Sequence, residues 1–225
     1  MERRFETELQ DLKSRILEMG GYVEQAIDIA TQALQERNAA KLASVHPLER
    51  KINHAHVVID NACVEILARQ SPFAADLRLI IAIIKINTDL ERMGDQAVNI
   101  SYNAEHYLAD KKIDIAADLT KMGHAVRVMV RNSLDAFMRQ DIVLAQQVLE
   151  SDDEVDAFKN KMFQTLLPYM KQEPASIESA LDLILIARNL ERMGDHATNI
   201  AEDVIFACTG EDVRHGGPGR ETPGE

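Results

Sequence analysis

Apolar residues recur along most of the chain at helical spacing. In the first forty residues they alternate at intervals of four and three, which places them on one face of a helix. This pattern predicts a long amphipathic helix that ends near Arg37, just before Asn38. A helix of this length requires partner helices of similar length. The residues that form its apolar face are Phe5, Leu9, Leu12, Ile16, Met19, Val23, Ala26, Ala30 and Ala33.

Two further helices are expected before residue 110. The second has Pro47 in or near its first turn, where proline is tolerated or kinks the helix. The third is expected to begin with Ser71 as its N-cap and Pro72 at the first helical position, and to continue to about Leu108. The apolar pattern of the second helix consists of Leu42, Val45, Ile52, Val57, Ile59, Val64 and Leu67.

The second half of the chain repeats the first. LERMGDQAVNI at 90–100 and LERMGDHATNI at 190–200 agree at nine of eleven positions, and MGGYVEQAI from Met19 resembles MGHAVRVMV from Met122. The second half is therefore expected to have the same helix order, which is the signature of an internal repeat. Its helices are predicted at residues 122–137, 144–169 and 174–208, with a turn at Gln140 and Asp141 and with Pro168 near the end of the middle helix.

Short connections between long helices produce antiparallel neighbours. The sequence therefore predicts an all-α fold made of two tandem, pseudo-symmetric three-helix bundles with six long helices. Residues 1–109 are expected to form the first bundle and residues 110–210 the second. The tail at 211–225 is rich in glycine and proline and is expected to be disordered. Residues 79–86 and 183–187 are apolar nearly all round, which predicts that the third helix of each unit is covered on several sides.

Charge and composition narrow the class of protein. The formal net charge of −12 argues against binding to nucleic acid or to an anionic membrane surface. The longest apolar run, LRLIIAIIKI at 77–86, is too short to span a bilayer, and the N-terminus lacks the apolar core of a signal peptide. Cys63 and Cys208 are too few for a disulfide framework and are expected to be small core residues. These observations predict a cytoplasmic protein.

Acidic and amide side chains follow each other at intervals of four in both copies of the repeated motif. Glu91, Asp95, Asn99 and Asn103 form one such stripe, and Glu191, Asp195, Asn199 and Asp203 form the other. Carboxylate and amide oxygens suit Mg²⁺, Ca²⁺ or Mn²⁺, and carboxylates also bind iron and zinc.

One helix supplies too few ligands, so the second helix of each unit is expected to contribute the rest. His56 and Asp60 are the candidates in the first unit, and Asp156 with its neighbours Asp152, Asp153 and Asn160 in the second. Two facing stripes would then hold one or more metal ions between helices. The predicted metal ligands are Glu91, Asp95, Asn99, Glu191, Asp195, Asn199, His56, Asp60 and Asp156.

An alternative explanation needs no metal. Glu91 and Asp95 can pair with Arg92, Lys85 or arginines of a neighbouring helix, which would make the chain a purely structural helical scaffold. The glycines of the two motifs, Gly94 and Gly194, are expected to allow close approach of helices. No Glu-x-x-His pair, phosphate-binding glycine loop or GxSxG motif is present in the sequence, so we expect that the protein is not an enzyme.

These motifs resemble those of the PhoU family of bacterial phosphate-signalling regulators. The resemblance rests on the paired LERMGD motifs, MGGYVEQAI, the stretch ACVEILARQSPFAADLRLIIAIIK at 62–85 and FACTGEDVRH at 206–215. It implies a cytoplasmic protein of two similar three-helix bundles, often a homodimer, that represses phosphate uptake and the phosphate-starvation regulon. It also implies an adaptor without catalytic activity, which links the ATPase of the phosphate ABC transporter to the sensor histidine kinase of a two-component system.

The resemblance implies metal binding as well. Family members carry metal ions on E/DxxxD motifs, which are matched here by Glu91 with Asp95 and by Glu191 with Asp195. The ions are expected to be divalent or trivalent, and iron, zinc, magnesium, manganese and nickel are all candidates. The second helices depart from the family pattern, because His56 and Asn160 stand where relatives commonly have acidic residues. A histidine ligand favours a softer ion such as zinc in the first unit.

Overall fold

Six long α-helices make up nearly all of the structure. The computed structural model describes residues 2–110, 113 and 116–213, and no strand occurs among them. Short 3₁₀ turns at Ala39–Ser44 and Pro174–Ser176 precede the second and the sixth helix. The helices are α1 (Glu2–Glu36), α2 (Val45–Gln70), α3 (Ala74–Asp110), α4 (Ala116–Arg139), α5 (Ile142–Gln172) and α6 (Ile177–Thr209).

The apolar face predicted for the first helix is the buried face of α1. Every predicted member from Leu9 to Ala33 is buried, and Phe5 packs against the core. The helix ends at Glu36, and Asn38 caps the following 3₁₀ turn by accepting a hydrogen bond from the backbone N–H of Ala40 at 3.1 Å. The predicted break at Asn38 is therefore confirmed.

The predicted start of the third helix is wrong. Ser71 is not an N-cap but closes α2 in the left-handed region, with a φ of +45°. Pro72 has no N–H group and cannot continue the preceding helix, so α2 ends in the left-handed conformation that often terminates helices. The chain then passes through Phe73, which is exposed, and α3 begins at Ala74.

Val57 and Val64 were assigned to the apolar face of the second helix, and both are exposed. The buried face of α2 contains the predicted Ile52 and Ile59 and, in place of the two valines, Cys63 and Ile66. Val57 and Val64 each precede a buried isoleucine by two positions, which is about 200° around a helix, so they cannot share its face. The predicted core position of Cys63 is confirmed.

The second unit follows its predicted order. Asp141 caps α5 by accepting a hydrogen bond from the N–H of Leu144 at 3.0 Å, directly after Gln140, which has a φ of +54°. Pro168 lies inside α5, on its exposed side, and the helix continues past it to Gln172. Pro174 opens the 3₁₀ turn before α6.

Each set of three consecutive helices packs together, and the two units then pack side by side along their length. The most extensive contact joins α3 to α6, and α1 also packs against α4. The third helix of each unit is thus covered by its own bundle and by the other one. Their central segments are accordingly buried, including Ile80, Ile83, Ile86, Leu183 and Ile186. The two tandem three-helix bundles are confirmed.

The closest contacts at glycine lie at Gly20 and Gly123, whereas the sequence predicted them at Gly94 and Gly194. A Cβ atom added at Gly94 would lie 3.2 Å from the Ile52 side chain, which is a close approach, but one added at Gly194 would meet only ordinary contacts at 3.4 Å or more. The prediction of close packing at Gly194 is therefore wrong. A Cβ at Gly20 or Gly123 would overlap Leu134 or Thr31, so α1 and α4 touch most closely at these two positions.

Part of the predicted domain plan lies outside the described residues. These are residues 111, 112, 114 and 115, between α3 and α4, and residues 214–225 of the predicted tail. Within the part of the chain that the structure describes, no helix is long and apolar enough to cross a membrane.

Candidate functional site

The two acidic stripes begin between helices and turn outwards. Glu91 and Asp95 on α3 are half-buried, as is Glu191 on α6, whereas Asp195 is exposed. Asn99 and Asn199, one turn further on, are exposed because residues four apart drift by about 40° around a helix. The carboxylates of each motif therefore lie closer to the second helix of their unit than the asparagines do.

In the second unit an ammonium group lies among the carboxylates. Lys159 Nζ on α5 donates hydrogen bonds to Asp156 Oδ1 and to Glu191 Oε1, each at 2.7 Å. These two hydrogen bonds, with the opposite charges behind them, raise the pKa of Lys159 above its ordinary value. Lys159 thereby ties α5 to α6 at the position of the repeated motif.

Asp152 and Asp195 complete this group of carboxylates. Burial between the helices, followed by the charges of Glu191, Asp152 and Asp156, raises the pKa of Asp195 to about 6, although His196 acts in the opposite direction. Burial, followed by the charges of Asp156, Glu191 and Asp153, also raises the pKa of Asp152, although Lys159 acts in the opposite direction. We call Asp152, Asp156, Glu191 and Asp195 the second acidic cluster.

The first unit has a different arrangement. His56 Nε2 lies 3.2 Å from Asp60 Oδ2, and Asn87 Nδ2 on α3 donates to Asp60 Oδ1 at 2.9 Å and to the carbonyl of His56 at 3.0 Å. Two buried polar atoms, His56 Nδ1 and Asn87 Oδ1, have no hydrogen-bond partner within the described part of the chain. The predicted residues His56 and Asp60 of α2 therefore face α3. Asn87 of α3, which was not predicted, connects the two helices.

The ion pairs of the metal-free alternative are present only in part. Arg92 lies on the exposed edge of the first stripe, 3.5 Å from Glu91 Oε2 and 3.6 Å from Asp95 Oδ2. Lys85, the other proposed partner, instead pairs with the buried Asp203 of α6 at 2.8 Å. Asp203 thus belongs to the contact between the two units. Its spacing had predicted that it would extend the second stripe towards α5, and this prediction is wrong.

Several other candidates are not brought together. Asn160 and Asp153 are exposed on α5. Asn199 Nδ2 contacts Asp89 of α3 at 3.2 Å and so faces the other unit. Among the residues that the structure describes, no three His, Cys, Asp or Glu side chains are positioned as they stand to hold one metal ion.

The chemistry of the donors nevertheless fits a divalent cation. The second acidic cluster consists of hard oxygen donors, and the Lys159 ammonium already provides a positive charge among them. In the first unit the unpartnered His56 Nδ1 adds a nitrogen donor to the carboxylates of Asp60, Glu91 and Asp95. The ligands available are thus His56, Asp60, Glu91 and Asp95 in the first unit and the second acidic cluster in the second.

Two residues of the site were missed, and each left a signal in the sequence. Asn87 is a lone amide in the apolar run IAIIKIN, where a buried polar group requires a hydrogen-bond partner. Lys159 follows Asp156 by three positions, on the same side of the helix. Both signals become specific only when the facing helix is known.

Comparison with known proteins matches both halves of the chain to one domain family. The family model described as the PhoU domain matches residues 16–104 and again residues 119–204. A PhoU homolog of the phosphate-specific transport system from Pseudomonas putida is 41% identical over 98% of this chain and 86% of that protein. A similar homolog from Pseudomonas aeruginosa is 40% identical over 95% of this chain and 88% of its own length.

Solved structures of PhoU proteins match the fold of this chain. The crystal structure of PhoU from Pseudomonas aeruginosa has a TM-score of 0.88 and 39% identity, covering 92% of this chain and 99% of that one. The PhoU protein from Streptococcus pneumoniae, a phosphate transport system regulatory protein, has a TM-score of 0.86 at 27% identity, covering 93% and 99%. The relatives are named as accessory proteins and not as enzymes, which confirms the expectation of a non-enzymatic protein. The chain belongs to the PhoU family.

Proposed function

We propose that this chain is a cytoplasmic negative regulator of phosphate uptake and of the phosphate-starvation regulon. The observation that carries the proposal is the double match to the PhoU domain, which covers all six helices at least in part. The relatives that share this architecture are named as accessory proteins of the phosphate-specific transport system. The chain would act by binding, since family members are not enzymes.

The partners are the ATPase of the phosphate ABC transporter and the sensor histidine kinase, and the protein works as a homodimer. An adaptor needs a rigid body with more than one face, and two similar bundles packed side by side supply two similar helical faces. The net charge of −12 suits basic surfaces on the partners. Light scattering of the purified protein tests the dimer, and a monomer at micromolar concentration would contradict it.

The proposed function includes binding of divalent metal ions by the two sets of ligands. The support is the donor chemistry of the two units, together with the partial burial and the neighbouring negative charges that raise the pKa of Asp195 and Asp152. A bound cation would neutralise these carboxylates and fix the third helix of each unit against the second. The metal-free scaffold stays the second candidate, because Arg92 and Lys159 already pair with the same carboxylates.

Complementation tests the regulatory proposal. A bacterial strain that lacks its own PhoU protein and carries a reporter of phosphate-starvation transcription should express the reporter even in phosphate-rich medium. Expression of this chain should restore repression there and leave induction in phosphate-poor medium intact. Expression of the folded chain without any effect on the reporter in phosphate-rich medium would overturn the proposal.

Elemental analysis and thermal unfolding test the metal. Protein purified without a chelating tag should carry divalent metal, and MnCl₂ should raise its melting temperature, because a ligand at about 100 times its Kd stabilises by about 2.7 kcal/mol. A variant with Glu91→Gln, Asp95→Asn, Glu191→Gln and Asp195→Asn should lose both the metal and the shift. If MnCl₂ shifts the melting temperature of neither protein and the variant still represses the reporter, the scaffold is the correct function.

A further inference from the structure

The two units differ at the centre of their acidic sites. In the second unit Lys159 Nζ bridges Asp156 and Glu191, with both distances at 2.7 Å. Counted from the equivalent caps Asn38 and Asp141, His56 stands at the corresponding position of the first unit. A lysine of the second unit thus occupies the place of a histidine, which can bind a metal ion.

A second difference accompanies the first. Asp156, which accepts a hydrogen bond from Lys159 at 2.7 Å, stands where the first unit has Asn53. The second unit therefore has a carboxylate and the ammonium that compensates it at two positions where the first unit has an amide and an imidazole. Such paired changes keep the charge of a half-buried cluster balanced without any ion from solution.

We propose that Lys159 is a built-in counter-ion of the second acidic cluster, which occupies the place of a divalent cation and makes this unit the weaker metal site of the two. The inference rests on the proposed metal binding and adds a difference between the halves. The first unit has Arg92 as its nearest cation, but Arg92 is 57% exposed and lies on the rim at 3.5 Å or more.

Lys159 can leave the cluster when a cation enters. Its side chain retains 31% of its exposure, and an ammonium on a flexible four-carbon stem can turn into solvent without moving the helix. A divalent cation must therefore compete with a covalently tethered charge, and its apparent affinity is reduced by the fraction of molecules in which Lys159 fills the site.

Mn²⁺ binding in variants that retain one site measures this competition. Glu91→Gln with Asp95→Asn leaves the second site, and Glu191→Gln with Asp195→Asn leaves the first. Calorimetric titration with MnCl₂ should give a Kd for the second site about tenfold or more above that of the first. Adding Lys159→Met to the protein that retains the second site should lower its Kd about tenfold or more.

Lys161→Met is the matched control. Lys161 lies two residues further along α5 and pairs with Asp118 of α4 at 2.9 Å, so its replacement removes the same charge outside the cluster. It should change the Mn²⁺ Kd less than about twofold. Equal effects of the two replacements, or a second site that binds as tightly as the first before replacement, would overturn the proposal.

A measurement without metal separates this inference from the proposed function. In buffer with a chelator, Lys159→Met should melt at a lower temperature than Lys161→Met, because the carboxylates lose their compensating charge. Equal melting temperatures would overturn the counter-ion role. If Lys159→Met is destabilised but no protein binds Mn²⁺, the counter-ion role stands and the metal part of the proposed function fails.

Discussion

At the scale of single residues, Asp195 shows how the cluster couples ionisation to stability. Its pKa is about 6 in the folded protein, compared with an ordinary value of 3.8. At a pH between about 3.8 and about 6, Asp195 is protonated in the folded chain and ionised in the unfolded chain. The stability that this group contributes is therefore complete below pH of about 3.8 and is lost as the pH rises through about 6.

Replacing Asp195 by asparagine should consequently stabilise the metal-free protein at neutral pH. We expect an increase of less than about 1 kcal/mol in the free energy of unfolding at pH 7.5, because solvent screens the exposed edge of this side chain. The increase should shrink as the pH falls towards 4. Urea unfolding followed by circular dichroism at several pH values, with a chelator present, measures it.

Asp153→Asn is the control for the change in net charge, since Asp153 is an exposed carboxylate of the same region. It should have a smaller effect at pH 7.5 and little dependence on pH. A loss of stability in Asp195→Asn at neutral pH would contradict the repulsion among Asp195, Glu191, Asp152 and Asp156.

At the scale of elements, the crossing of α1 and α4 depends on two glycines from equivalent motifs. Gly20 of α1 lies against Leu134 of α4, and Gly123 of α4 lies against Thr31 of α1. Thr31 is β-branched, and its hydroxyl donates to the carbonyl of Ile27 at 2.8 Å, so its side chain cannot easily turn away. The crossing therefore has little room for a methyl group at Gly123.

Gly123→Ala should destabilise the protein by about 1–3 kcal/mol, which is typical of overpacking in a core. Gly194→Ala should be neutral or stabilising by up to about 1 kcal/mol, because alanine favours the helix and its Cβ meets only ordinary contacts. Urea midpoints of the two variants provide the comparison. If Gly194→Ala were the more damaging of the two, the assignment of the close crossing to Gly123 would be wrong.

At the scale of the whole molecule, the two units share polar as well as apolar contacts. Lys85 of α3 pairs with Asp203 of α6 at 2.8 Å, and His196 of α6 lies 2.8 Å from Asp89 of α3. These contacts accompany the long apolar contact between α3 and α6. Separation of the units would expose the segments at 79–86 and 183–187, which are apolar nearly all round.

We therefore expect the metal-free protein to unfold in a single cooperative transition. Scanning calorimetry should give a calorimetric enthalpy equal to the van't Hoff enthalpy, and circular dichroism should report the same midpoint. Two resolved transitions, or an enthalpy ratio well above one, would show that each bundle unfolds independently.

The helices and the duplication follow from the order of residues along the chain. Helix periodicity is a local property, so the buried face of α1 and the break at Asn38 could be predicted from spacing alone. The repeated LERMGD motif placed Glu91, Asp95, Glu191 and Asp195 on the third helix of each unit for the same reason. Spacing failed at Ser71, where Pro72 closes one helix before the next begins. Val57 and Val64 were assigned to the core from their apolar character, although helical spacing from Ile59 and Ile66 places them on another face.

The side chains that meet across helices depend instead on how the helices pack. The contact of Lys159 with Glu191 depends on how α5 is rotated against α6, and the contact of Asn87 with Asp60 depends on how α3 lies along α2. The same holds for Gly123, whose role depends on Thr31 of a helix in the other unit. Spacing along one helix fixes which residues share a face, but the partner of that face is set by the packing of all six helices together.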